Sequence, residues 1–149
     1  MKWTIAFDSG CDLRDWKPVK EVSLRLVPLQ IVLGKENITD DGSTGLEQLQ
    51  KRLDAARCKT GTACPSVGQW KTAMDEGENV IAITISGAVS GSYQSACTAR
   101  DLLLEKNPDR NFFVMNSVSG SGGMLSLVNC ALEEIRKGSS FRLFKMGIE

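Results

Sequence analysis

Residues 79–85, NVIAITI, constrain the fold of this chain more than any other stretch. An almost continuous apolar, β-branched run of this length is too short for a buried helix. It suits a strand covered on both of its faces. The run empties directly into SGAVSGSYQSA, residues 86–96, which places small hydroxylic residues and glycines where a core would need apolar ones. Beyond it, Tyr93, Ala96, Cys97, Leu103 and Leu104 fall on one helical face. A strand buried on both sides demands helices above and below it, and the remaining pattern supplies them.

KWTIAF near the start reads as a short buried strand ending at Asp8-Ser9-Gly10, and RLVPLQIVL, residues 25–33, as a second strand region. Pro28 in that region suggests an edge position or a bulge, because proline has no N–H to give to a sheet. Thr44 and Glu47 make a capping-box pattern ahead of Leu46, Leu49, Leu53 and Ala56 at helical spacing. Ser66 and Gln69 repeat that pattern behind Pro65 and open a helix with Val67, Trp70 and Met74 on one face. NFFVMN is a further buried strand, followed by SVSGSGG. Met124, Leu127, Val128, Ala131, Leu132 and Ile135 then form an apolar stripe, with Arg136 and Lys137 in the last turn and Gly138 at the C′ position. The order is strand, loop, strand, two helices, strand, helix, strand, helix. It predicts an α/β domain with a mainly parallel sheet and helices on both faces.

Composition narrows the chemistry. With 149 residues, 42% of them apolar and 24% charged, the chain is long enough for one domain with a real core and too apolar to be disordered. Eighteen basic residues balance eighteen acidic ones, which removes the electrostatic case for nucleic acid or an anionic membrane surface. No apolar run approaches the ~20 residues that span a bilayer. The N-terminal run stops at Asp8, as a first strand does and a signal peptide does not. There is no histidine, so Ser-His-Asp and Cys-His catalysis within the chain are excluded, as are most catalytic zinc sites. Five cysteines without a CxxC or regular spacing argue against a disulfide framework or zinc and for a reducing cytoplasm. No metal and no cofactor is expected.

In a parallel sheet, ligands lie beyond the carboxyl ends of the strands. DSG, SGAVSGS and NSVSGSGG each follow a strand here and are expected to converge on one edge. Glycines let backbone N–H groups approach a ligand, and serine hydroxyls add donors without charge, so the loops suit a carboxylate or phosphate. The same residues also serve as ordinary caps and turns, and Ser90 could simply cap its helix. Asp8 could act as an aspartyl nucleophile in phosphoryl transfer, or its carboxylate could accept from the amides of its own loop. SGSGGM lacks the Lys-Ser/Thr ending of a phosphate-binding P-loop, and no G-x-S-x-G is present for an esterase.

Five motifs in sequence resemble the DegV family of fatty-acid-binding proteins: FDSGCDL (7–13), VPLQI (27–31) followed by Asp41-Gly42, TACPS (62–66), SGAVSGSYQSA (86–96) and NSVSGSGG (116–123). The likeness covers roughly residues 1–140. It implies the first α/β domain of a DegV-type protein, a carrier and not a catalyst. Such a carrier holds a long-chain fatty acid by its carboxylate and presents it to a separate fatty acid kinase. Carried over to this chain, Thr62 and Ser90 hold the carboxylate, with the backbone amides of Gly91 and Ser92 as auxiliaries. Ala63, Ser92 and Asn116 depart from the family's usual serine, threonine and aspartate. Family members are commonly about twice this length, with a second α/β domain over the acyl chain. That second domain is expected to be absent here, residues 1–149 forming a single domain. Two readings stand beside this one: a phosphotransferase or phosphate-ester-binding domain using Asp8, and a truncated scaffold without a ligand. Phe141, Leu143, Phe144 and Met146 are read as the remnant of a lost helix or as an apolar patch for a partner chain.

Overall fold

The computed structural model describes residues 2–142 and 145. Along the chain run β1 (Trp3–Asp8), β2 (Val22–Val27), β3 (Gln30–Leu33), β4 (Glu36–Thr39), α1 (Leu46–Ala55) and β5 (Thr60–Ala63). Then follow α2 (Val67–Ala73), β6 (Asn79–Thr84), α3 (Ser92–Lys106), β7 (Asn111–Asn116) and α4 (Ser121–Arg136). β1, β2, β6 and β7 form the expected parallel sheet in the order β2-β1-β6-β7.

The two central strands, β1 and β6, are buried at every residue, which is why both read as nearly unbroken apolar runs. Strand alternation sorts their side chains into two cores. On one face Ile5, Phe7, Ile81, Ile83 and Met115 pack with Met124, Val128, Ala131 and Leu132 of α4. On the other, the smaller Ala6, Val80, Ala82 and Val114 leave room for Trp70 and Met74 of α2 and Ala96, Ala99 and Leu103 of α3. α4 ends as its sequence predicts. Gly138 takes a left-handed φ of 77°, its N–H reaches Ile135, and the N–H of Ser139 reaches Glu134.

The amino end of the sheet is closed by polar contacts. Thr4 Oγ1 donates to the Glu76 carbonyl at 2.9 Å, and Arg110 donates to the carbonyls of Met74, Glu76 and Gly77 while lying over the Phe112 ring. Gly77 has φ 87°, and a Cβ there would lie 2.8 Å from Thr4 Oγ1. Gly77→Ala is therefore expected to lower stability by at least the roughly 1–2 kcal/mol that a left-handed backbone costs an L-residue. A urea midpoint unchanged from the parent's, at the same m value, would refute this.

Two expectations need correction. RLVPLQIVL is two strands that separate at Pro28, β2 staying in the parallel sheet and β3 entering a second, antiparallel one of order β4-β3-β5. β4 and β5 carry no sequence signal strong enough to be read: TGTA is exposed throughout, and Glu36–Thr39 buries only Ile38. Pairing to β3 makes them strands. The Thr44–Glu47 capping box does not form. Gly45 is the N-cap, no side chain among the described residues caps the helix, and Glu47 pairs with Lys51 at 2.7 Å. The helix itself forms at the expected spacing but buries none of its residues fully, with Leu46 81% and Leu53 38% exposed. The Ser66–Gln69 box does form in full, with Gln69 N donating to Ser66 Oγ and Ser66 N to Gln69 Oε1. At the far end of the chain, Phe141 is helical and stacks on Trp3, with ring centroids 5.9 Å apart. Leu143, Phe144 and Met146 lie outside the described residues.

Candidate functional site

The loops after β1, β6 and β7 meet at the carboxyl edge of the parallel sheet, where their sequence placed them. Ser86 N donates to the Ser119 carbonyl at 2.8 Å and Ser117 N to the Thr84 carbonyl at 3.1 Å, so the second and third loops are laced together. Asn116 Oδ1 accepts from the amides of Gly87 and Val118, at 3.0 and 3.1 Å. An asparagine thus supplies the acceptor that an aspartate would supply at this position. Arg14 fastens the first loop to the end of β4, donating to the Ser9 carbonyl and to Asp40 Oδ1.

Asp8 lies at the centre of this junction, fully buried. Its Oδ2 accepts from Ser92 Oγ at 2.5 Å and from the Ile85 amide at 3.0 Å, and its Oδ1 accepts from the Gly10 amide at 3.2 Å. Burial pushes its carboxyl above the ordinary carboxylate range, and the three donors pull in the opposite direction. Both oxygens are therefore engaged inside the loops. Among the described residues, no group of three or more His, Cys, Asp or Glu is placed to hold a metal ion.

β5 brings the TACPS segment to the same edge. Leu29, Thr62, Ala63, Cys64, Ile85, Val89, Ser90 and Gly91 line a cleft of about 510 Å³ between β5 and the loop after β6. A Cβ on Gly91 would stand 3.1 Å from Cys64 Sγ, so glycine is what lets the two walls approach. Thr62, Ser90 and Gly91, singled out by their motifs, thus share one cleft. Ser92 does not line it. It stands behind, its hydroxyl given to Asp8 and its backbone N–H to Ser90 Oγ at 3.2 Å. The helix cap open to Ser90 does not form: Gly91 is the N-cap residue of α3, and among the described residues no side chain caps that helix, so the Ser90–Ser92 contact is a local turn bond.

Ser90 Oγ accepts the Ser92 amide, and neither its own proton nor that of Thr62 has an acceptor among the described residues. Both hydroxyls are therefore available as donors. Among the described residues no lysine, arginine, aspartate or glutamate lines the cleft, and Leu29, Ile85 and Val89 give it an apolar wall. The set can hydrogen-bond a polar head while apolar atoms lie against the wall. Leu29 was hidden in the sequence because its position depends on the break at Pro28, after which its amide is caught by Ser9 Oγ at 3.0 Å. Ile85 and Val89 were hidden because aliphatic residues at a strand end and in a turn carry no mark of a ligand.

Among the described residues no helix is long and apolar enough to cross a membrane. Curated relatives include DegV domain-containing proteins of Streptococcus gordonii, 34% identical over 142 residues, and of Streptococcus pyogenes serotype M1, 37% identical over 143. Each match covers 95% of this chain and 50% and 51%, respectively, of the relative, so the chain spans about half their length. Among solved structures, the Streptococcus pneumoniae fatty acid kinase B3 protein, loaded with linoleic acid, superposes with a TM-score of 0.95 at 33% identity. That match covers 99% of this chain and 53% of the other. A DegV family protein of Eubacterium eligens loaded with heptadecanoic acid gives 0.91 at 27% identity, covering 98% of this chain and 52% of the other. The DegV family model itself matches residues 2–145, and with that match, the shared fold and the motif loops gathered at one sheet edge, this chain belongs to the DegV family.

Proposed function

We propose that this chain binds a long-chain fatty acid, with the carboxylate in the cleft between β5 and the loop after β6. Thr62 and Ser90 donate their hydroxyl protons to it, Gly91 forms the adjoining wall, and the first methylenes lie against Leu29, Ile85 and Val89. The observation that carries the reading is the pair of unspent hydroxyl donors beside an apolar wall, with no charged side chain in the lining among the described residues. Hydrogen bonds to a charged group contribute roughly 1.5–3 kcal/mol each, and each buried methylene about 0.8 kcal/mol. Such a site therefore takes its affinity from the tail and its orientation from the head. Related proteins of known structure carry linoleic and heptadecanoic acid, which supports the same class of ligand here.

In this reading the chain is a carrier that does no chemistry, acts in the cytoplasm, and offers the carboxyl group to a fatty acid kinase. The engagement of both Asp8 oxygens by loop donors favours a structural role for that carboxylate over a nucleophilic one. The test is mass spectrometry of an organic extract of the purified chain, followed by titration of the delipidated protein with palmitic or oleic acid. A co-purified or saturably bound long-chain fatty acid is expected. Absence of both, or phosphatase or kinase turnover that Asp8→Asn abolishes, would overturn the proposal.

A further inference from the structure

We propose that Asp8 is a positioning residue for the cleft, acting on Ser90 through Ser92 so that the Ser90 hydroxyl points its proton at the ligand. The inference rests on the fatty-acid reading above. A serine hydroxyl can donate or accept, and a carboxylate ligand needs it to donate. A protein N–H on one of the oxygen's lone pairs favours the rotamer in which the proton faces out. The Ser92 amide does so, 3.2 Å from Ser90 Oγ.

What holds that amide in place is the chain of contacts behind it. Ser92 is the first residue of α3 and is fully buried, and its hydroxyl donates to Asp8 Oδ2 at 2.5 Å. The same oxygen accepts the amide of Ile85, which forms part of the cleft's apolar wall. One buried carboxylate thus fixes a donor through Ser92 and a wall residue through Ile85. The task calls for a carboxylate because three donors converge on it: the Ser92 hydroxyl and the Ile85 and Gly10 amides. An asparagine has a single acceptor oxygen, and its NH₂ would face at least one of those donors. Ser92→Ala leaves Ser90 in the chain but removes the tether between its partner amide and Asp8.

The experiment measures the affinity of the chain for palmitic acid and for hexadecanol, which has the same tail and a neutral head. The variants are Ser90→Ala, Ser92→Ala, Ser92→Thr, Asp8→Asn and the double variant Ser90→Ala/Ser92→Ala. Ser92→Ala is expected to reduce the preference for acid over alcohol by about tenfold, the worth of one modest hydrogen bond. Ser92→Thr, which keeps the hydroxyl, is expected to restore it, and Asp8→Asn to lower it as Ser92→Ala does. In the Ser90→Ala background, Ser92→Ala is expected to change nothing further, because residues acting through one group are not additive. Equal losses for acid and alcohol, or full additivity with Ser90→Ala, would show that Asp8 and Ser92 only staple the loops. That result ends the positioning role and leaves the fatty-acid reading standing. If Ser90→Ala itself leaves the acid-over-alcohol preference unchanged, the cleft does not hold the carboxylate and both proposals fall. Should Asp8→Asn not fold, the Ser92→Ala and Ser92→Thr pair carries the same test with a single hydroxyl.

Discussion

Replacing Thr62 and Ser90 together by alanine is expected to weaken the binding of a long-chain fatty acid by roughly 10²–10⁴-fold. Two hydrogen bonds to a carboxylate at about 1.5–3 kcal/mol each sum to roughly 3–6 kcal/mol, and every 1.4 kcal/mol is tenfold. The loss comes from the head group alone. Thr62 is exposed on β5 and Ser90 half-buried at the mouth of the cleft, so truncating them opens no cavity in either core. Affinity for a fatty alcohol of equal length is accordingly expected to change by much less. Isothermal titration of both ligands against the delipidated protein makes the comparison. A double variant that keeps its fatty-acid affinity would place the carboxylate elsewhere on the chain.

Trp70→Ala is expected to cost about 3–5 kcal/mol of folding stability, the range for deleting a buried large aromatic. For a domain of this size, that corresponds to a fall in melting temperature of roughly 6–20 °C. Trp70 is fully buried on the α2–α3 face of the sheet, in one cluster with Met74, Val80, Ala82, Ala99 and Leu103. It is also the anchor of α2, whose capping box at Ser66 directly follows the segment that carries Thr62. The indole Nε1 is buried without an acceptor among the described residues. Trp70→Phe removes that unsatisfied donor and keeps most of the ring, so it is expected to retain most of the stability that Trp70→Ala loses. Thermal unfolding followed by circular dichroism separates the two. A melting point for Trp70→Ala within a degree or two of the parent's would mean that the α2 face contributes little to the fold.

The parallel sheet was legible because its central strands are buried on both faces, and burial on both faces writes itself as an apolar run: WTIAF and NVIAIT could hardly be anything else. α4 was legible for the same reason on one face, and Gly138 marked its end through a backbone angle that favours glycine. The second sheet was not legible. β5 is exposed along its whole length, and only its ladder to β3 makes it a strand. α1 was half legible. Its spacing called for a helix and a helix formed, but the capping box offered by Thr44 and Glu47 did not, and Leu46 stays in solvent.

The candidate site divides along the same line. Sequence alone determined that hydroxyl- and glycine-rich loops would gather at the carboxyl edge of a parallel sheet, since strand order and crossover geometry leave those loops nowhere else to go. It also marked Thr62 and Ser90 through motifs that resemble a known family. Only the tertiary structure decided which of those hydroxyls face a cleft and which are consumed within the protein. Ser90 and Ser92 stand two positions apart in one small-residue stretch, yet one lines the cleft and the other is turned inward to Asp8, a residue 84 positions away. Hydrogen-bond partners so distant in the chain leave no local trace, because a serine's side chain looks the same in sequence whether a ligand or a buried carboxylate takes its proton.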